Sequence, residues 1–431
     1  MSIINYQFSI INCRFTIALV LLITASAPAQ SQLDSLVATA LRNNPEIKMA
    51  RYESMAAKSR ISPAAQLPDP QLKVAAMNIP SDFNLTADGM TMFPQLTIMQ
   101  MFPWFGKLSA AGDVKRFGFD ASKDRLANTA LDVVANIKKV YGEIYQTQKT
   151  ISYLEYKKSL LNGVVKVSEQ LFAVGQVPQQ DVFRATAELT MVQSDLINMN
   201  GMLKQQYAEL AALIGSSEPK AIEVDTLVLP QLQPLPTLET QLMDQNPYLS
   251  QVSNLKEAAK AQATFARKDA VPDVSAGVSY GYRGALMPNG AKVPNMMNFE
   301  VGLSLPIFYG AKQQKMIDEA DFMKRAADQE YSSAELSLQS QLRSMYADAE
   351  AQYQLVPLYT KELIPQYEAT YNSSLSAYSV GRTTFAMLID NLTTLINTKI
   401  ELAKIESGYF SATAEISKLV GENSRKYRGV E

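Results

Sequence analysis

The chain repeats itself, and this limits its architecture more than any other feature. Asn44-Pro45 returns as Asn246-Pro247, Pro68-Asp69 as Pro272-Asp273, and Pro103 with Phe105-Gly106 as Pro306 with Phe308 and Gly310. Further on, Val174-Gly175 returns as Val380-Gly381, and Leu213-Ile214-Gly215 as Leu419-Val420-Gly421. The paired landmarks stay about 202 to 206 residues apart, so the halves differ only by small insertions. Residues 30–215 form the first repeat and 237–421 the second. A proline-rich linker at 216–236 separates them, and a tail at 422–431 follows.

Each repeat has one order of elements. A helix of moderate length (about Leu33 to Arg60, then Thr237 to Arg267) leads to a Pro-Asp step and two extended segments. A very long helical stretch follows, then a Val-Gly step and a second long helix ending at Gly215 or Gly421. The long stretches have coiled-coil spacing, with Val133, Ile137, Val140, Ile144, Ile151, Tyr153 or Leu154, Leu161 and Val165 in the first. Leu338, Leu342, Met345, Ala349 and Val356 continue it in the second, where Pro357 and Pro365 predict a kink or break. At 1.5 Å per residue the stretch from Gly106 to Ala173 would be on the order of 100 Å long.

The extended segments alternate. Val274, Ala276, Val278, Tyr280 and Tyr282 share one face, opposite Ser275, Gly277, Ser279 and Gly281. Phe299, Val301, Leu303 and Leu305 likewise oppose Glu300, Gly302 and Ser304, with Gln71 to Met77 and Gln95 to Phe102 as first-repeat counterparts. Alternation alone fits a half-buried strand of a soluble sandwich or a lipid-facing barrel strand. Four strands cannot close a membrane barrel, which needs about eight, and lipid does not tolerate open edges. On the membrane reading, subunits must share a barrel, and three copies supply twelve strands.

An apolar run from Thr16 to Ala25 follows Arg14, and Ala27-Pro28-Ala29 gives small residues at cleavage spacing, so residues 1–29 are expected to be an export signal. The only cysteine, Cys13, precedes that run, and the chain has no histidine. Thiol nucleophiles, Ser-His-Asp triads and His-ligated zinc are thereby excluded, and no enzyme activity or cofactor is expected. A net charge of −2 with dispersed basic residues gives no nucleic-acid footprint.

Helix, two strands, long helix, tip and long helix, given twice after an export signal, resembles the TolC-like outer-membrane efflux family. The most specific residues are Phe172-Ala173-Val174-Gly175 with Asp181-Val182 and Arg184-Ala185, and Ala377-Tyr378-Ser379-Val380-Gly381 with Ile389-Asp390. The resemblance implies a mainly α fold with membrane β: long coiled-coil helices plus four strands per subunit. Three subunits would form a shared 12-stranded barrel in outer-membrane lipid and a periplasmic helical tunnel. It implies a passive channel of a tripartite efflux system, working with a periplasmic adaptor and an inner-membrane pump. Drugs, metal ions, siderophores and polypeptides would all fit such a tunnel. The alternative from another class is a periplasmic coiled-coil tether of the envelope.

Site residues follow from the resemblance. Val174, Gly175, Gln176 and Val177, with Val380, Gly381, Arg382 and Thr383, would be the tips that meet the adaptor. As bare sequence the two glycines are helix terminators. Asp181 and Tyr378 match partners that hold the family's tunnel closed, although Asp181 also reads as a first-turn carboxylate at a helix N-terminus. Arg382 sits one place before the family's arginine, with Thr383 in the expected position. Asp390 matches the second of two entrance rings of aspartates and Met387 replaces the first, while its plain reading is a solvated helix residue. Methionines cluster in the strand hairpins: Met77, Met90, Met92, Met99 and Met101, then Met287, Met296 and Met297. They serve as apolar filler or as soft donors for a copper(I) or silver(I) cargo, and no resident metal is expected.

Overall fold

A computed structural model describes residues 27–428 except 80, 82, 84–90, 285 and 288. Most of the expected export signal, Cys13 and Met90 lie outside the described residues. In chain order the helices are α1 (Ala27–Asn43), α2 (Pro45–Ser59), α3 (Ile61–Ala65), α4 (Lys107–Ala173), α5 (Gln179–Leu213), α6 (Leu235–Gln245), α7 (Pro247–Asp269), α8 (Gln313–Leu358), α9 (Ile364–Ser379), α10 (Phe385–Leu419) and α11 (Ser424–Tyr427). Strands β1 (Gln71–Met77) and β2 (Met92–Phe102) lie between α3 and α4, and β3 (Val274–Gly281) and β4 (Met296–Leu303) between α7 and α8. The repeats thus share one order, and β2 starts earlier than the expected Gln95.

Two compact units result, and each draws on both repeats. One takes the chain through Ala50, Leu126–Pro247 and the residues from Leu336 onward; the other is Arg51–Arg125 with Tyr248–Glu335. The first is helical and the second holds the sheet.

The single helix expected at the start of each repeat is in fact two, broken at Asn44 and Asn246. Proline cannot donate a backbone bond and disfavours the helical region for the residue before it, so each Asn-Pro step ends a helix. The asparagine side chain then serves a distant helix end. Asn44 Nδ2 donates to Leu213 O at 2.9 Å, and Asn246 Nδ2 donates to Leu419 O at 2.7 Å. Those carbonyls close α5 and α10, so the same corner is built once per repeat.

Glycine completes the corner. Gly215 (φ +74°) and Gly421 (φ +73°) turn the chain so that their N–H groups reach Ala212 O and Lys418 O, each at 3.0 Å. The next N–H groups, of Ser216 and Glu422, reach Ala211 O at 2.8 Å and Ser417 O at 2.9 Å. A Cβ on Gly215 would stand 2.7 Å from Asn43 O, and one on Gly421 would meet Gln245 O. Gly175 (φ +73°) and Gly381 (φ +69°) make the same turn with open space around them. Alanine at Gly175 or Gly381 should therefore cost only the left-handed backbone, about 1–2 kcal/mol. Alanine at Gly215 or Gly421 must add a backbone clash, and the melting temperature should fall further. Equal losses at all four sites would contradict this packing.

Within the helical unit, Val133, Ile137, Val140 and Ile144 are buried as the spacing predicts. The linker has no regular structure over 216–234 and its last two residues open α6, yet its backbone is held. Gln148 Oε1 accepts from Val224 N–H at 2.9 Å, Gln148 Nε2 donates to Ile222 O at 2.6 Å, and Tyr409 OH donates to Pro230 O at 2.5 Å. The tail is also anchored, because Ser424 Oγ donates to Gln245 O at 2.9 Å and Tyr427 is buried. The break expected near Pro357 and Pro365 takes the form of a π-helical turn, Tyr359–Leu363, in which Ile364 N–H reaches back five residues to Tyr359 O. The wider turn absorbs two missing proline donors without ending the helical path.

Burial raises the pKa of seven tyrosines in this unit: Tyr141, Tyr145, Tyr153, Tyr371, Tyr378, Tyr409 and Tyr427. For Tyr145 the hydrogen bond to Glu406 Oε2, 2.5 Å long, adds to burial. A folded pKa above the unfolded value means the contribution is whole below about pH 10 and is lost as pH rises beyond it. The melting temperature of the purified protein should therefore hold from pH 8 to 9.5 and drop steeply above pH 10, together with tyrosinate absorbance.

Candidate functional site

The sheet is the first candidate surface. Its strands are antiparallel in the order β1-β2-β3-β4, so β1 and β4 each have one free edge. The register sets Leu72 beside Ile98, Ile98 beside Val278, and Val278 beside Phe299, which forms one apolar row across all four strands. Val74, Leu96, Tyr280 and Met297 form the next row. These side chains face outward without cover in the single chain, with Leu72 at 68%, Val74 at 63%, Phe299 at 78% and Val301 at 76% exposure. The other face carries Lys73, Thr97, Ser279 and Asn298 in one row, and Gln71, Met99, Gly277 and Glu300 in another. A soluble sandwich covers its apolar face, whereas among the described residues nothing covers that face or pairs with either outer edge.

Where β2 and β3 end at the helices, Asp273 fixes the junction. Its carboxylate accepts from Lys107 Nζ at 2.7 Å and from Trp104 N–H at 3.0 Å, while Lys107 also meets Asp269 at 2.6 Å. Burial works against the Lys107 charge, but hydrogen bonds to Asp269 and Asp273 and their negative charges outweigh it and leave its pKa raised. The Pro-Asp landmark of the second repeat is therefore an ion-pair anchor, which alternation and spacing did not reveal.

The tips are the second candidate surface. After α4, Gly175 N–H reaches Phe172 O and Gln176 N–H reaches Leu171 O, both at 2.9 Å. After α9, Gly381 N–H reaches Tyr378 O at 3.0 Å and Arg382 N–H reaches Ala377 O at 2.9 Å. Pro178 caps α5 with extended backbone, and Thr384 caps α10, its hydroxyl accepting from Met387 N–H at 3.3 Å. Val174, Gly175, Gln176, Val380, Gly381 and Arg382 are exposed, and Val177 and Thr383 half-buried. The expected adaptor-contact residues thus share two equivalent turns of one chain.

Behind the tips the expected closing pair is only partly assembled. Tyr378 is 1% exposed, and its hydroxyl lies 2.9 Å from Ser168 Oγ, itself fully buried. Its ring meets Phe385 edge-on, with centroids 6.1 Å apart. Within the single chain the Tyr378 hydroxyl pairs with Ser168. Asp181 lies half-buried in the first turn of α5, where its negative charge adds to burial in raising the Tyr378 pKa against the opposing Ser168 bond. Arg382 and Asp390 are exposed. Ser168 was missed, although a lone serine in the buried seam Leu161, Val164, Ser168, Leu171 is a signal that helical spacing offers.

Met92 is buried and faces Met77 across the strands, packed so closely on Gly281 that a Cβ there would stand 2.5 Å from its Sδ. Met77, Met101, Met287, Met296 and Met297 are exposed.

The profile of the outer membrane efflux protein family matches residues 36–216 and again residues 238–422, once per repeat. The chain belongs to that family. Outer membrane protein TolC of Escherichia coli strain K12 is 24% identical over 402 residues, covering 88% of this chain and 80% of that protein. The cation efflux system protein CusC of Escherichia coli O157:H7 is 24% identical over 316 residues, 68% of this chain and 65% of that protein. The crystal structure of the outer membrane protein VceC from Vibrio cholerae shares the fold at TM-score 0.78 and 19% identity, covering 91% of this chain and 97% of that one. An outer membrane efflux protein of this fold accounts for the bare apolar sheet face as a surface for lipid.

Proposed function

We propose that this efflux protein is the outer-membrane channel of a tripartite efflux system, passively conducting cargo delivered by an inner-membrane pump through a periplasmic adaptor. Three copies close a twelve-stranded barrel, with the apolar face toward lipid and the small polar face toward the lumen. One observation carries this reading: a four-stranded sheet with its apolar face exposed and both outer edges unpaired among the described residues cannot be a finished membrane structure. A periplasmic tether would need neither that face nor small polar residues opposite it. The tips at 174–177 and 380–383, exposed except at Val177 and Thr383, offer the adaptor backbone and the side chains of Val174, Gln176, Val380 and Arg382 on two equivalent turns. Asp390 supplies one carboxylate per subunit to the periplasmic entrance.

Closure rests on Tyr378, Asp181 and, secondarily, Arg382. A hydroxyl donates once and accepts as well. With Ser168 donating to the Tyr378 oxygen, the phenol proton is free for Asp181 in the closed trimer. The proposal is tested by planar-bilayer recording on purified protein that left the outer membrane only with detergent. Discrete, long-lived conductance steps support it; extraction by salt or alkali alone, with no conductance, would leave the tether.

A further inference from the structure

Only two charged residues stand in the four strands, Lys73 on β1 and Glu300 on β4. They have opposite sign, occupy the two edge strands, and lie on the same small, polar face. Both are exposed in the single chain, and neither forms an ion pair among the described residues. A lone charge on a strand edge is ordinarily a guard against edge pairing. Two complementary charges, one per edge, instead suit pairing with a second copy of this chain.

The duplication supplies the register. Within one chain β2 lies beside β3, with Met101 opposite Ser275 and Met99 opposite Gly277. Strand β4 is the repeat of β2 through Pro103 and Pro306, and β1 is the repeat of β3 through Pro68-Asp69 and Pro272-Asp273. Carried across those landmarks, the β2/β3 register sets Ser304 opposite Gln71, Leu303 opposite Leu72, Gly302 opposite Lys73, and Val301 opposite Val74. In these four pairs apolar residues meet apolar residues, and small or polar ones meet small or polar ones. A slip of one residue would break that match throughout, because side chains alternate with period two. Lys73 falls on the diagonal from Glu300, within reach of a long side chain.

A second correspondence agrees. Asp273 anchors Lys107 at the foot of β2 and β3. Their repeat counterparts are Asp69, at the foot of β1, and Lys312, just before α8, and both are exposed.

We propose that β4 of one subunit pairs with β1 of the next in this register, locked by a Lys73–Glu300 ion pair on the lumen side and an Asp69–Lys312 pair at the helical end. The inference rests on the shared-barrel reading and adds to it the register and the residues that select it. The test uses the full chain with Cys13→Ser, which removes its only cysteine. Gln71→Cys with Ser304→Cys places two cysteines opposite one another, at the spacing a disulfide needs. Mild oxidation should join the subunits into covalent dimers and trimers on denaturing gels. Ala75→Cys with Ser304→Cys, four residues out of register, should stay monomeric on the same gels. Charge reversal by Lys73→Glu should lower the temperature at which the assembly dissociates, and adding Glu300→Lys should restore it. Cross-linking by the out-of-register pair, or no rescue by the charge swap in an assembly of normal stoichiometry, overturns the register while leaving the shared barrel intact. A monomer that neither cross-links nor associates overturns both.

Discussion

Val278→Arg is expected to abolish assembly in the outer membrane. Val278 sits mid-strand in the row Leu72, Ile98, Val278, Phe299, on the face left bare in the single chain. An arginine facing lipid near the midplane of a barrel costs about 2–4 kcal/mol. Threefold repetition in one shared barrel would triple that cost, a loss as large as much of a domain's net stability. The control is Asn298→Lys, on the opposite face, where a lumen charge meets water and assembly should be normal. Quantitative blotting of outer-membrane fractions decides between them. Equal loss in both variants, or tolerance of both, would mean that the two faces do not see different solvents.

Tyr378→Phe combined with Asp181→Asn is expected to raise single-channel conductance and make cells leaky to large antibiotics. Phenylalanine keeps the ring against Phe385 and fills the same core space, so folding should survive. On the closure proposed above, the double mutant would lose a hydrogen bond to a charged acceptor, about 1.5–3 kcal/mol in each of three subunits, made in the closed state only. A bond made in one of two conformations shifts their populations by its full worth when it is removed. Ser168→Ala separates this from simple destabilisation. It removes the observed 2.9 Å contact at a cost of about 1 kcal/mol while leaving the Asp181 acceptor in place, so melting should fall and conductance stay near the parent's. A double mutant that assembles normally and conducts like the parent would assign closure to coiled-coil packing instead.

What was legible in the sequence rests on signals written in neighbouring residues. Alternation from Val274 to Tyr282 and from Phe299 to Leu305 marked two strands that in fact run Val274–Gly281 and Met296–Leu303, and Gly175, Gly215, Gly381 and Gly421 marked four helix ends because only a left-handed backbone fits there. The seam from Val133 to Ile144 needed only its spacing. Features made by distant partners did not show. Asn44 and Asn246 were visible as landmarks, but not as side chains bonded to Leu213 and Leu419. The π-helical turn was foreseen only as a break, since proline forbids a bond without dictating how the chain recovers it. The Ser168 contact was hidden for the same reason, since its partner is 210 residues away. Nor did the repeats forecast the compact units, because each unit is assembled from like parts of both halves.

Native mass measurement of the detergent-extracted channel decides whether three chains share one barrel. A single species of three chains is expected, conducting in planar bilayers and carrying no conductance once dissociated. A monomer that still forms the same channels would contradict it, because four strands would then have closed a membrane pore alone.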